Sequence, residues 1–163
     1  MKHCICFALV LALLAMAGSL AFAAGSDTIT VNYEVQAINE LNIDDASVTL
    51  TIIAATPGSD PTQVTDSATY DISTNCAADA KKVTAEIDAD MPSGLTLKIN
   101  MTAPTGATSP GAITLSDTPA DALTAIDAVS ESNINMNFTL DATAEAGVVA
   151  AASKTCTLTL TDS

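Results

Sequence analysis

Apolar and polar residues alternate with a period of two along most of the chain after residue 23. The first run places Ile29, Val31, Tyr33, Val35 and Ala37 on one face and polar side chains on the other. Because successive side chains of a β-strand point to opposite faces, this pattern predicts strands with one buried face. Further runs of the same kind occupy residues 41–43, 48–52, 68–72, 83–87, 95–101, 134–142 and 156–160.

Stretches rich in Pro, Gly, Ser and Thr separate these runs, at residues 56–61, 91–94 and 103–111. Such residues favour turns. Short strands at this spacing, without long amphipathic helices between them, are typical of two packed antiparallel sheets. We therefore predict an all-β fold, an antiparallel immunoglobulin-like β-sandwich of about seven to nine strands.

Residues 118–130 fit two structures. Thr118 and Pro119 could begin a helix that carries Leu123, Ile126 and Val129 on one face. The same residues could instead form a short edge strand followed by a turn at residues 130–133. We favour the strand or an irregular crossing, since the segment is too short for a clear helical pattern.

The first 23 residues have the features of an export signal. Lys2 and His3 precede an apolar run, and Ala21-Phe22-Ala23 fits a small-x-small cleavage site. We therefore predict a cleaved signal peptide at 1–23 and a single β-sandwich domain at 24–163. The apolar run is shorter than a membrane-spanning helix needs, and no comparable run follows, so the mature chain is expected to lack a membrane span. The predicted location is extracellular, periplasmic or at the cell surface, in a bacterium.

The chain after the leader is strongly acidic. All 19 acidic residues and only four lysines lie there, which gives a net charge of −15. This charge repels nucleic acid and anionic membranes, so no nucleic-acid partner is expected. It also keeps a β-rich chain soluble and opposes random association between sheet edges.

The same region contains no His, Arg or Trp. Imidazole bases, imidazole metal ligands and guanidinium groups that bind phosphate are therefore absent. Paired carboxylates can hydrolyse glycosides, but such enzymes need a cleft, and sugar sites usually carry aromatic side chains. A small sandwich with two Tyr offers little of either. We predict that the protein is not an enzyme and needs no cofactor.

Cys76 and Cys156 are the only cysteines after the leader. Cys76 keeps the phase of Tyr70 and Ile72, and Cys156 keeps that of Leu158, so both should face the core. Exported chains usually oxidise such pairs. We predict a Cys76–Cys156 disulfide.

Calcium is the one ion that the composition allows, because 14 of the 19 acids are Asp. Asp88 and Asp90 precede the turn at 91–94 and are the best candidates. A calcium loop needs more spaced oxygen donors than these two supply, so solvated turn acids are the favoured interpretation.

The N-terminal run from Asp27 to Ile38 follows the flexible Gly25-Ser26 and begins the mature chain. Such a segment can add as a strand to the sheet of another subunit. With its leader, its alternating first strand and its high Thr and Ala content, the chain resembles bacterial pilins and fimbrial subunits with immunoglobulin-like folds. It departs from them at Thr155–Ser163, which lacks their aromatic C-terminal ending.

The resemblance implies a structural subunit of a fibre or coat that associates with itself or with related subunits. The segment could also pair within its own domain. A different function remains open, a binding or adhesion module that recognises a glycan or protein through the loops at 56–61 and 103–111. These loops lack aromatic and Arg anchors, the types that dominate binding hot spots.

Overall fold

The computed structural model describes residues 25–45, 47–76 and 80–163. The predicted signal peptide at 1–23 lies outside the described residues. The chain divides into two units, one ending at Glu34 and the other comprising Val35–Ser163. The second unit contains every strand of the described chain.

That unit is a β-sandwich of two antiparallel sheets, and the predicted fold class is confirmed. The five-stranded sheet has the order β1-β2-β7-β4-β5, and the three-stranded sheet has the order β6-β3-β8. The strands are β1 (Asn39–Ile43), β2 (Val64–Thr74), β3 (Lys81–Ile87), β4 (Leu95–Met101), β5 (Ile113–Thr114), β6 (Ala120–Ile126), β7 (Val129–Ala142) and β8 (Cys156–Asp162).

The sequence alternation explains why the long strands form where they do. In β2, β3 and β4, every second side chain is buried and the intervening ones are more exposed. The buried residues of both sheets meet in one aliphatic core. This core includes Tyr70, Ile72, Val83, Ala85, Ile87, Ile99, Met101, Leu123, Ile126, Met136 and Phe138.

Strands β7 and β3 lie at the centres of their sheets. The long strand β7 pairs with β2 on one side and with β4 on the other. In the small sheet, β3 has β6 and β8 as its neighbours. The β2–β7 register shifts between Tyr70 and Ile72, opposite the stretch that contains Asn133. Asn133 has a positive φ of 56°, a conformation that Asn tolerates better than most residues.

The segment 118–130 contains the strand β6 (Ala120–Ile126), as favoured above, and no helix. Strand β6 is an edge of the small sheet, and its last residue, Ile126, precedes β7 by only two residues. The chain therefore crosses from one sheet to the other at residues 127–128. The prediction of a turn at 130–133 is wrong, because these residues lie in β7. The adjacent residues Ala122 and Leu123 are both buried, and the register with β3 is irregular there. An irregular register of this kind also breaks the simple alternation that would have identified the strand.

Two predicted strands are absent from the described residues. Residues 29–37 lie in no strand, and neither do residues 48–52. The second stretch still contacts β2, since the Thr49 N–H donates to Asp66 Oδ2 at 2.7 Å. Val48 packs against the core without a continuous ladder.

Tyr70 is the largest fully buried side chain, and its hydroxyl donates a 2.6 Å hydrogen bond to the Thr102 carbonyl. Burial raises the pKa of this phenol, and the charge of Glu131 adds to the effect.

We expect Tyr70→Phe to lower the free energy of unfolding by about 1 kcal/mol, because it removes the hydrogen bond to Thr102 and leaves that carbonyl to water. Urea denaturation measures the change. Tyr33→Phe is the control, since Tyr33 is exposed; equal stability of the two variants would contradict the prediction.

Candidate functional site

The predicted strand-addition segment is fully exposed. Ile29, Val31, Tyr33 and Val35 are 88%, 72%, 92% and 79% exposed, and Ala37 is exposed as well. Residues 29–35 belong to no ladder of the described chain. Tyr33, which the alternation placed on a face expected to be buried, is therefore not a core residue. The segment has the alternation of a strand but no partner for its backbone or its apolar face.

The downstream end of the segment is fixed by one side chain. Asn75 Nδ2 donates to the Gln36 carbonyl at 2.8 Å, and Asn75 Oδ1 accepts from the Ile38 N–H at 2.8 Å. The Asn75 N–H also donates to the Ile38 carbonyl at 3.2 Å. Asn75 thus extends the backbone pairing of β1 by a few residues. Gln36 is the last residue upstream that receives this support.

The outer edge of β8 is the second unpartnered feature. Strand β8 pairs with β3 through seven consecutive residue pairs, and no strand of the described chain lies on its other side. Its core-facing residues Cys156, Leu158 and Leu160 pack against the core but are only partly buried. The alternate threonines face solvent. This edge therefore presents a row of backbone groups beside an incompletely covered apolar row.

The opposite edge of the small sheet is closed. Thr108 and Thr124 exchange two backbone hydrogen bonds of 2.9 Å, which place residues near 108 against β6. The register of β6 is irregular, and Ala125 has a positive φ of 53°. Leu123 and Ile126 are fully buried. Covering chain and an irregular register are the usual protections of an edge strand. The register of β8 is regular and its outer side has no ladder among the described residues, although β1 of the large sheet lies near β8.

Both edges of the large sheet are short. Strand β5 has two residues and β1 has five. Strand β1 carries Glu40, and a charge on an edge strand discourages pairing. The edge of β8 is longer than either and carries no charge until Asp162.

The structure corrects the predicted disulfide, because Cys76 and Cys156 are both free thiols. Cys76 lies just beyond β2, where its N–H donates to Thr74 Oγ1 at 3.2 Å. Cys156 begins β8 opposite Ile87 at the end of β3. The two residues keep the strand phase that the sequence indicated. They lie at different positions along the strand direction of the sandwich.

The strand register gives the distance between the two cysteines along the strand direction. Thr74 pairs with Val129 at the start of β7, and the preceding strand ends at Ile126, which pairs with Lys81. The end of β2 therefore lies near the start of β3. Cys156 lies opposite Ile87, six residues further along β3, a separation of about 20 Å at 3.3 Å per residue. A disulfide needs Cα atoms within about 7 Å.

Burial raises the pKa of the Cys156 thiol to about 11, and the charge of Glu86 adds to this. The folded state thus favours the neutral thiol. A thiol of this kind is a weak nucleophile at neutral pH, because the thiolate is the reactive form.

The calcium candidates take part in protein contacts. Asp90 Oδ1 accepts from the Asp117 N–H at 3.1 Å, and the Asp88 N–H donates to the Thr155 carbonyl at 3.0 Å. Among the described residues, no three His, Cys, Asp or Glu side chains are grouped so that they could hold a metal ion. Asp90 therefore has a structural contact that links two loops.

The two loops considered for ligand binding are far apart. Loop 56–61 lies at the end of β7, where Asp60 Oδ1 accepts from the Ala144 N–H at 2.9 Å. Loop 103–111 lies at the start of β7, where Glu131 Oε1 accepts from the Thr105 N–H at 2.8 Å. The bonds from Thr105 hold the pKa of Glu131 below its usual value. The loops therefore occupy opposite ends of the sandwich and share no face.

Three of the four lysines after residue 23 lie at the small sheet. Lys81 and Lys82 are on β3 and pair with Asp162 and Asp121, respectively. Lys154 lies two residues before the start of β8. It is partly buried, as are Cys156, Leu158 and Leu160, which follow it at alternate positions. Lys154 is thus the lysine nearest the start of β8, while Lys82 is engaged by Asp121 on β6.

Sequence reasoning identified the unpartnered segment but missed the free edge of β8. A signal was present in residues 156–161, which combine strict alternation with no charge and no Pro. Within the described residues, no helix is long and apolar enough to cross a membrane.

Both cysteines should react with iodoacetamide in urea without prior reduction, because neither thiol is bonded in the structure. Peptide mapping of protein isolated by export should find alkylated Cys76 and alkylated Cys156. A linked Cys76–Cys156 peptide that appears only without reductant would contradict this result.

The folded protein should protect Cys156 through its raised pKa. At pH 8, alkylation of Cys156 in folded protein should be about 100-fold slower than in urea, since its pKa rises by about two units. The stability gained from the neutral thiol is complete below about pH 9 and is lost as the pH rises through about 11. The Cys156→Ala variant should not lose this stability when urea denaturation is measured across the same pH range. The prediction is refuted if the free energy of unfolding depends on pH equally in both proteins.

Comparison of the chain with protein-family models found no match, and comparison with curated proteins found none either.

Proposed function

We propose that the protein is a non-catalytic, exported structural subunit of a surface fibre or coat. In this proposal, subunits join by strand addition, and the segment Asp27–Ile38 of one subunit completes a sheet of the next. The observation that carries the proposal is the state of this segment. It alternates as a strand does, yet its backbone has no ladder and its apolar face has no cover.

The exposed face supplies a physical reason for association. Full burial of a side chain such as Ile29 or Val31 is worth about 1.5–3 kcal/mol. Tyr33 adds a larger ring area and a hydroxyl that can remain in water at a sheet edge. Backbone hydrogen bonds along an added strand fix the register, and the alternate side chains determine which edge fits.

The charge and composition support the same proposal. A net charge of −15 after the leader opposes non-specific contact between subunits. Contact is then favoured only where apolar faces and backbone groups match. The leader supports export, and the lack of His and Arg after it supports a non-catalytic function.

The prediction for this function compares the two faces of the segment. Val31→Asp/Tyr33→Asp places two charges on the apolar face, and Thr30→Asp/Asn32→Asp places the same two charges on the polar face. We expect wild-type protein and the polar-face variant to form multimers, and the apolar-face variant to lose at least 10-fold in multimer yield, because buried charge is costly. Light scattering after gel filtration and unboiled detergent gels measure the yield.

Thermal denaturation of the monomers is the control, and all three should melt alike because the changed residues are exposed. Wild-type protein that remains monomeric at every concentration would overturn the proposed function. Equal assembly by the two variants would show that the apolar face is not the contact.

A further inference from the structure

We infer that the acceptor is the free edge of β8, and that segment 27–34 of a second copy adds parallel to it. This inference rests on the proposed function. It names the partner as another copy of this chain and assigns both sides of the contact.

The first argument is the condition of the β8 edge. Its register with β3 is continuous over seven pairs, so its outer backbone groups form a regular, unpaired row. Leu158 and Leu160 are only partly buried, while Leu123 and Ile126 on the closed edge of the same sheet are fully buried. One further strand would give β8 the cover that β6 already has.

The second argument is that the two sequences match in spacing. The segment presents Ile29, Val31 and Tyr33 at alternate positions, and β8 presents Cys156, Leu158 and Leu160 in the same way. Aligning Val31 with Leu158 places all three apolar pairs side by side in either strand direction. Cross-strand pairs of this type each contribute about 0.2–1 kcal/mol.

Charge distinguishes the two directions. In the parallel arrangement, Asp27 lies beside Lys154, which continues the apolar row of β8 at its start. In the antiparallel arrangement, Asp27 lies beside Asp162, and like charges directly opposite each other are destabilising. The parallel arrangement also brings Glu34 beside Thr161, whose partner on β3 is Lys82. Lys154 thus matches Asp27 directly, while Lys82, which already pairs with Asp121, lies one strand further from Glu34.

The same alignment places Ile29 of one copy beside Cys156 of the next. Because Cys156 is a free thiol, one introduced cysteine can report the contact and its direction. Parallel addition brings residue 29 to Cys156, whereas antiparallel addition brings residue 33 there.

The experiment mixes two forms of the chain. The donor carries Ile29→Cys with Cys76→Ser and Cys156→Ser, and the acceptor carries only Cys76→Ser. A matched donor carries Tyr33→Cys in place of Ile29→Cys. After oxidation with copper phenanthroline, boiled samples are compared on gels with and without reductant. In this arrangement a donor–acceptor disulfide can form only between copies.

We expect a donor–acceptor dimer with Ile29→Cys that disappears on reduction, at least 10-fold more abundant than with Tyr33→Cys. An acceptor with Cys156→Ser should abolish it. Preference for Tyr33→Cys would overturn the parallel direction. Multimers that form without either cross-link would overturn the β8 edge as acceptor while leaving the proposed function standing. Absence of multimers before oxidation would refute the proposed function itself.

One further sample tests closure within a chain. A single chain with Ile29→Cys, Cys76→Ser and native Cys156 is oxidised at high dilution and at high concentration. Covalent multimers whose yield rises with concentration support addition between copies. A cross-linked monomer at every concentration would show that the segment closes its own domain, and this would overturn both proposals.

Discussion

Extended backbone has hydrogen-bonding groups on both edges, and the way this chain satisfies them determines the rest of its structure. Strand β7 is bonded on both sides in the large sheet, and β3 is bonded on both sides in the small one. The buried side chains of the neighbouring strands meet between these two, which is where the core forms. The edge strands β1, β5, β6 and β8 each have one side without a ladder among the described residues. The chemistry of those free sides is what distinguishes this domain from a closed sandwich.

The core itself is aliphatic and contains little aromatic area. Tyr70 is fully buried and Phe138 nearly so, while Tyr33 is exposed. The Tyr70 hydroxyl donates a hydrogen bond to the Thr102 carbonyl, which connects β2 to the residue that follows β4. A core of this kind relies on close packing of Ile, Leu, Val and Met across the two sheets.

The alternation of the sequence predicted the strands that have partners and some that have none. Runs at 68–72, 83–87, 95–101, 134–142 and 156–160 lie in strands β2, β3, β4, β7 and β8. The run at 29–37 has equally clear alternation, but no strand contains it. Period two states which side chains a strand would bury. It does not state which edge will receive the strand, since strand pairing is a long-range choice.

The two cysteines also show what local phase can predict and what only strand pairing decides. The sequence placed Cys76 and Cys156 on the core face, because the direction of a side chain depends only on its local phase. Their separation along the sandwich depends on how β2, β3 and β8 are registered, and the register places them near opposite ends of β3. Phase therefore predicted that Cys156 packs against the core, and it gave no information on the distance between the two cysteines.

The sequence by itself determined the all-β class, the inward face of each long strand, the acidity and the absence of His and Arg after residue 23. These depend on residue type and local period. The tertiary structure alone decided that β6 is covered and β8 is open, that the cysteines are apart, and that the two long loops lie at opposite ends of β7. Each of these depends on which distant segments pair. Neighbours in the chain cannot specify that choice, because every edge strand offers the same backbone groups.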